Sequence, residues 1–210
     1  MENDNYTVWD IVADIWTKPK VVFAYIKEYD NTNLYIPILI LLGISTSLSE
    51  AEIEVSNSDA SLVIILLKSI FIGGLMGWIG YFIYCYLLEI LGGFIGGKAK
   101  FDKIIRMFAY ASIPSICTLI FTLQLILFFG TDAFLSDFES VDRSTLDLVI
   151  YYVCMFGQLA LAIWTMVLLV IGISYFQNFT ILKGILNLIL PILLIGIPIM
   201  LIAFLLTINS

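Results

Sequence analysis

The stretch EILGGFIGGKAKFDKIIRMFAYASIP, residues 89–114, decides how this chain folds. It closes one long apolar segment with two glycine pairs, Gly92-Gly93 and Gly96-Gly97, and it enters a second apolar segment at Met107. The connection between the segments holds four of the ten basic residues of the chain, which are Lys98, Lys100, Lys103 and Arg106. In a membrane protein, basic residues that cluster in this way mark the cytoplasmic side.

The composition is that of an integral membrane protein. Hydrophobic residues make up 61% of the chain, and the mean hydropathy is +1.04, whereas soluble domains are about 45–50% apolar. Uncharged runs cover residues 69–88, 107–131, 148–182 and 184–210. Since about 20 apolar residues span a bilayer, the sequence predicts an all-α membrane protein.

Several classes of function lack the residues that they need. The net charge of −7 argues against a nucleic-acid partner, which favours basic patches. The chain has no histidine, so His-ligated metal sites and His-activated nucleophiles are excluded. The glycine-rich GGFIGGK run lacks the spacing of a phosphate-binding loop. We therefore expect no catalytic residues, no cofactor and no metal site.

The pattern along the chain predicts a bundle of five transmembrane helices, preceded by two amphipathic helices in the membrane interface. Residues 1–33 form the predicted cytoplasmic amphipathic segment, with Trp9, Val12 and Trp16 on one face and Pro19 in a first helical turn. The alternative is that these helices pack on a soluble partner. The predicted membrane domain covers residues 34–210, with spans at about 34–49, 69–91, 106–129, 148–173 and 185–207.

Five spans give a clear orientation. Eight of the ten Lys and Arg residues then fall on the side of the N-terminus and two, Lys68 and Arg143, on the other side. The positive-inside rule places the N-terminus in the cytoplasm and the C-terminus outside. The acidic connections at residues 50–59 and 130–147 both fall on the outer side, where we expect a solvated surface.

Glycines and prolines predict how the helices pack and bend. Gly73, Gly77 and Gly80 lie three and four residues apart and form a small-residue strip that lets a neighbouring helix approach closely. We expect Gly77→Leu to disrupt this contact and Gly97→Ala to do less. Pro114 is expected to kink the third span, and Pro191 and Pro198 lie in the fifth.

The candidate site is the basic connection together with Glu89. Glu89 lies near the cytoplasmic end of its helix and is expected to pair with Lys98, Lys100 or Arg106, the alternative being a proton or ion relay. The basic residues Lys98, Lys100, Lys103 and Arg106 predict a site for anionic phospholipid head groups or an acidic protein partner. The alternative is that they only set the topology. Phe101, Ile104, Ile105 and Phe108 are spaced as an interfacial helix requires.

These motifs resemble the Yip domain family of Ypt/Rab-interacting, five-span membrane proteins. The resemblance rests on Leu91-Gly92-Gly93, on the run from Gly97-Lys98 to Arg106, and on the sequence AYASIP at residues 109–114; the segment IWTKP at residues 15–19 adds to it. It implies a five-span bundle with a cytoplasmic N-terminus. Eukaryotic members act in vesicle trafficking through small GTPases, but the acidic-Leu-Tyr-Gly-Pro motif of their cytosolic tails is missing here. The chain looks more like the short bacterial branch, so GTPase binding is assigned to no residue.

Two functions follow as hypotheses. The first is a non-enzymatic protein of a bacterial inner membrane that organises the membrane, or recruits lipids and partners, through its basic cytoplasmic face. The second is a small transporter, channel or lipid-translocating protein, which a continuous polar stripe through several spans would favour. The expected partners are the lipid bilayer, anionic phospholipids, other proteins or a second copy of the chain.

Overall fold

The computed structural model describes residues 7–29, 34–50, 61–134, 138 and 143–208. Most of these residues are helical, and none of them lies in a strand. The helices are α1 (Val8–Asp14), α2 (Pro19–Glu28), α3 (Tyr35–Ser49), α4 (Leu62–Lys68), α5 (Gly74–Phe94), α6 (Phe101–Ala111), α7 (Ile113–Phe129), α8 (Thr145–Gln177) and α9 (Ile181–Ile208). A π-helical turn (Ser69–Gly73) joins α4 to α5, and a 3₁₀ turn (Gly130–Phe134) follows α7. The first predicted acidic connection, beyond Glu50, and three of the five carboxylates of the second lie outside the described residues.

Four helical stretches of the described chain are long and apolar enough to cross a bilayer: Leu62–Phe94, Phe101–Phe134, Thr145–Gln177 and Ile181–Leu201. They correspond to the second to fifth predicted spans. Helix α3, at the place of the first predicted span, is apolar but has 15 residues. Its length is therefore about 22 Å, compared with a hydrocarbon core of about 30 Å. The fifth crossing stays a prediction, and so does the interfacial position of α1 and α2.

Two helices begin earlier than the sequence analysis placed them. The second span begins at Leu62 rather than at residue 69, since a long lysine side chain such as Lys68 extends its ammonium group away from apolar surroundings without ending the helix. The third begins at Phe101 rather than at residue 106, with Asp102 in the first turn, where a carboxylate favours the positive end of the helix dipole.

The helical stretch around Pro114, where the sequence analysis expected a kink, is interrupted by one residue. Helix α6 ends at Ala111 and α7 begins at Ile113, so that Pro114 lies in a first helical turn. A first turn tolerates proline because its backbone N–H groups have no partner within the helix. The predicted third span is thus two helices, and the break between them is at the buried Ser112.

The packing divides the chain into two compact units. The first comprises Met1–Thr32, Phe82–Phe108 and Leu169–Ser210, and the second comprises Asn33–Tyr81 and Ala109–Leu168. The borders fall inside α5, α6 and α8.

In the second unit, α3 packs on the π turn and on α5 through backbone contacts. A Cβ atom built on Gly77 would lie 2.8 Å from Cα of Gly43, and one on Gly73 would lie 2.7 Å from the Gly43 carbonyl oxygen. Both distances are too short for a side chain, so this contact requires glycine. Gly80 differs, because a Cβ atom there has no atom of another element within 4 Å. The contact therefore involves two glycines of the predicted strip, and its partner on α3 is a third, Gly43.

In the first unit, α1 begins with a capping box. The Thr7 backbone N–H donates to Oδ2 of Asp10 over 2.7 Å, and the Asp10 N–H donates to the Thr7 hydroxyl over 3.3 Å. These bonds from Thr7 lower the pKa of the Asp10 carboxyl group. The buried faces of α1 and α2 consist of Ile11, Ile15, Val22, Phe23 and Ile26, whereas Trp9, which the sequence analysis placed on the apolar face, is exposed. The Phe23 ring meets Phe176 of α8 edge to face, with 6.3 Å between ring centroids.

Pro191 and Pro198 both lie inside α9. The Tyr84 hydroxyl on α5 donates to the carbonyl of Leu188, three residues before Pro191, over 2.8 Å. A proline removes a backbone donor from its helix, and a side chain of a neighbouring helix makes this tolerable when it bonds a carbonyl group nearby. Tyr84 thus joins α5 to the part of α9 that Pro191 weakens.

Candidate functional site

The basic connection begins with a sharp turn at the end of α5. The Gly97 N–H donates to the Gly92 carbonyl over 2.8 Å, and the Gly96 N–H donates to the Gly93 carbonyl over 3.1 Å. This is a Schellman motif, which requires a residue with positive φ, and Gly96 has a φ of 96°. The two glycine pairs therefore turn the chain at the end of the helix instead of continuing it.

Gln177, the last residue of α8, holds this turn in place. Its Oε1 accepts the Ala99 backbone N–H over 2.9 Å, and its Nε2 donates to the Leu88 carbonyl over 3.3 Å. The side chain is fully buried, and it occupies the space that Cβ atoms on Gly92 and Gly97 would fill. The backbone between Lys98 and Lys100 is thereby fixed by a residue on another helix.

The C-terminal end of α8 binds the ammonium group of a lysine on α2. Asn178 has a φ of 57°, and the Phe179 N–H donates to the Ser174 carbonyl over 2.8 Å, so this end is also a Schellman motif. The Lys27 ammonium of α2 donates to the Tyr175 carbonyl over 2.9 Å and to Oδ1 of Asn178 over 3.2 Å. A positive charge there complements the negative end of the helix dipole. Partial loss of hydration lowers the pKa of Lys27.

Beside the glycine turn lies an open pocket of about 380 Å³. Lys98, Lys100 and Glu89 line it together with Tyr86 and the backbone at Gly97. Both lysines are exposed, and Glu89 is half-buried. The pocket thus brings together the carboxylate and two of the four basic residues that the sequence analysis selected. The ion pair proposed for Glu89 stays a prediction, because no salt bridge found among the described residues contains it.

The other two selected residues, Lys103 and Arg106, lie on α6 and are half-buried. Neither belongs to the described residues that line the pocket. Ile104, Ile105 and Met107 on the same helix are buried, so α6 is amphipathic, as the spacing of its apolar residues predicted. A further ammonium group, that of Lys183, donates to the Ile95 carbonyl at the glycine turn over 3.2 Å.

Sequence reasoning missed the two buried amides beside this site. Asn187 is fully buried, and its Nδ2 donates to the same Leu88 carbonyl as Gln177 does, over 3.3 Å. In the sequence, Gln177 lies in the polar segment at residues 174–178, near the end of the fourth predicted span. Asn187 is one of a few uncharged polar residues within a predicted span. An amide in a long apolar run was the available signal, since such a group must find a partner when it is removed from water.

Comparison with known proteins gives one match. The sequence profile of the Yip1 domain matches residues 13–203 of the chain. No curated protein and no solved structure matches it.

Proposed function

The chain belongs to the Yip1 domain family, and from this premise we propose that it is a non-enzymatic five-span protein of a bacterial inner membrane. In this proposal its basic cytoplasmic face gathers anionic phospholipids or an acidic protein partner. The observation that carries the proposal is the pocket at the end of α5, where Lys98 and Lys100 lie together on a backbone that Gln177 fixes.

A fifth crossing by α3 is supported by contacts within the first unit. Lys27 of α2 bonds the turn after α8, and Gln177 at the same turn bonds Ala99 of the basic connection. The N-terminal helices and the basic connection therefore belong to the same side. The long helix Leu62–Phe94 crosses once before it reaches that connection. The chain between α2 and α4 must then cross as well, and α3 is the described helix in that interval.

The distribution of charge agrees with this topology. If α3 did not cross, five of the ten basic residues would lie on each side, and the positive-inside rule would give no orientation. With α3 crossing, eight lie on one side. One of the two exceptions, Arg143, is neutralised by Asp132, whose Oδ2 lies 2.6 Å from its guanidinium group. A span of 15 residues is short, and a bilayer accommodates such a span by thinning locally.

The location of the lysines suits lipid head groups. The pocket lies where a spanning helix ends, so its occupant meets the membrane at the level of the phosphates. Each basic residue near an anionic surface contributes about 1 kcal/mol before screening by salt. The pocket is lined by two exposed ammonium groups and one half-buried carboxylate. Glu89 would therefore weaken the attraction and limit it to ligands that the two lysines hold together.

The test is native mass spectrometry of the purified protein and of the triple variant Lys98→Gln, Lys100→Gln and Lys103→Gln. We expect the variant to retain less anionic phospholipid or acidic protein, because it has lost three positive charges at one face. Five basic residues would remain on this side against two on the other, so the orientation should be kept.

Glu89→Gln is the matched variant of opposite sign, and we expect it to retain more anionic lipid than the parent. Equal retention by the parent and by both variants would reduce the basic connection to a topology signal.

The second candidate function is a small transporter, channel or lipid-translocating protein. It is favoured by hydroxyl groups of α3, α7 and α8 that hydrogen-bond to one another in the second unit. Entry of a labelled small solute into proteoliposomes at a rate above that of empty liposomes would support this function.

A further inference from the structure

The second unit contains a cavity whose wall is half polar although the helices around it are apolar. It has a volume of about 170 Å³. The polar lining comes from Ser49, Thr122, Tyr151 and Gln158, and the apolar lining includes Leu125 and Met155. Among the described residues that line it, none is Asp, Glu, Lys or Arg.

The hydroxyl groups in the wall have their protons engaged and their lone pairs available. Ser49 Oγ donates to the Ser45 carbonyl over 3.0 Å, and Thr122 Oγ1 donates to the Thr118 carbonyl over 3.2 Å. A hydroxyl group has one proton and two acceptor lone pairs, so both side chains can still accept hydrogen bonds. A ligand with hydrogen-bond donors could bind to these lone pairs.

Gln158 adds a complete amide to the wall. It is half-buried on α8, and its side chain makes no hydrogen bond with the described residues. An amide without a partner is costly inside a spanning helix, because lipid offers no hydrogen bonds. The cavity thus combines hydroxyl acceptors with an amide that both donates and accepts.

Deeper in the unit the polar groups satisfy one another. Ser45 Oγ donates to the Ser115 carbonyl over 3.0 Å and lies 3.1 Å from the Thr118 hydroxyl. The Ser115 hydroxyl donates to Thr165 Oγ1 over 3.0 Å. These hydroxyl groups thus both donate and accept, whereas Ser49 and Thr122 at the cavity only donate in the hydrogen bonds found among the described residues.

One side of the cavity is held in place by a stack of side chains. The Tyr151 ring lies parallel to the ring of Phe138, with 4.2 Å between centroids and 8° between planes. The Arg143 guanidinium lies over the other ring of this pair, 4.6 Å from the Phe138 centroid, and it also bonds Asp132. The wall that Tyr151 forms is thereby fixed before any ligand arrives.

We propose that this cavity binds a small uncharged molecule that carries hydroxyl groups, of the size of glycerol. Hydroxyl groups can donate to Ser49 and Thr122 and can accept from the Gln158 amide. An ion would have to lose its hydration with no opposite charge among the described lining residues, which is unfavourable in a low dielectric. The volume equals about five to six water molecules, at about 30 Å³ each, so the ligand has few non-hydrogen atoms.

The test measures access and protection at the cavity. In a background with Cys85, Cys117 and Cys154 replaced by alanine, single cysteines replace Gln158 or Gln124 and react with a small hydrophilic thiol reagent. Gln124 is the matched control, because it is an exposed glutamine on the spanning helix α7 and is not among the lining residues. We expect Gln158→Cys to react roughly ten-fold faster, since a thiol facing lipid has a raised pKa and forms little thiolate. Glycerol should slow the reaction at residue 158, whereas a disaccharide of equal osmolality, too large for the cavity, should not.

Two results would overturn the proposal. A reaction at residue 158 no faster than at residue 124 means that the cavity is dry. Fast labelling that glycerol and the disaccharide affect equally means that it is hydrated but selects no ligand. Ser49→Cys, on the opposite wall, repeats the measurement if the first variant elutes as an aggregate. The proposal is independent of the basic face, so its failure leaves the proposed function intact.

Discussion

At the scale of single residues, Gln177 joins the end of α8 to α5 and to the basic connection within the first unit. It accepts from the Ala99 backbone, donates to Leu88, and lies against two glycines whose missing side chains give it room. The lysines of the candidate site are on the surface, but the backbone that carries them is positioned from the interior. The binding proposed for Lys98 and Lys100 would therefore depend on a buried neutral amide.

We expect Gln177→Ala to destabilise the protein by about 1–3 kcal/mol, because the half-buried Ala99 N–H would lose its partner. The measurement is the midpoint of thermal unfolding in detergent. Gln124→Ala is the control, since that side chain is exposed and its contact is a weak one from Cys154 Sγ at 3.8 Å. Equal midpoints for both variants would contradict the role assigned to Gln177.

The basic residues, Glu89 and the glycine turn were predictable at this scale, and the amides were not. Charge clusters and glycine pairs are recognisable within a short stretch of sequence. The positive-inside rule relates such a cluster of basic residues to the topology. The Ala99–Gln177 bond joins residues that are 78 positions apart, and no local pattern specifies such a pairing. The same holds for the residues of the polar cavity, which come from three separate α-helices and the 3₁₀ turn.

At the scale of helices, α3 and α5 approach each other through backbone atoms in the second unit. Gly43 and Gly77 meet with no side chain between them, and Ser47 Cβ lies against Gly73. The sequence predicted that the glycine strip would pack, but only the structure separates its members. Gly73 and Gly77 face α3, while Gly80 faces open space.

We expect Gly77→Leu to lower the free energy of unfolding by about 1–3 kcal/mol or more, because the added side chain would overlap the α3 backbone. Gly80→Leu is the matched control and should change little beyond its effect on helix propensity. Gly97, which the sequence analysis took as the tolerant position, is unsuitable as a control, because a Cβ atom there meets Gln177. The measurement is unfolding in detergent, and equal loss in both variants would mean that α3 does not pack on this face.

The positions of charged residues in the sequence predicted only some of the helix boundaries. The amphipathic α6 was foreseen from the spacing of its apolar residues, whereas the break at Ser112 was not. Pro114 alone is compatible with a kink or with a new helix start, and the choice depends on packing around Ser112. Helix α4 ends at Lys68, but the π turn and α5 continue the same helical stretch to Phe94, since one long cationic side chain does not stop a stretch that is otherwise apolar.

At the scale of the whole molecule, the number of membrane crossings depends on the side of the membrane on which the N-terminal helices lie. In a cysteine-free background, single cysteines at Thr17 and Ala99 should be protected from an impermeant thiol reagent added to intact cells. Cysteines at Ser56 and Ser140, which lie outside the described residues, should be labelled. The reason is that the proposed topology of five crossings would place eight of the ten basic residues in the cytoplasm. Labelling at Thr17 together with protection at Ala99 would show that α3 does not cross.

The bond from Ala99 to Gln177 also imposes an order on biogenesis. A ribosome that has just made the basic connection must add 78 more residues before the partner of Ala99 exists. During that interval Lys98 and Lys100 are attached to a turn without its interior support, so they are free to fix the orientation of the nascent chain first. In the proposed topology, the insertion of α8 would then convert the same lysines from an orientation signal into part of a rigid surface. A single segment thus serves two successive purposes, and the time at which Gln177 emerges separates them.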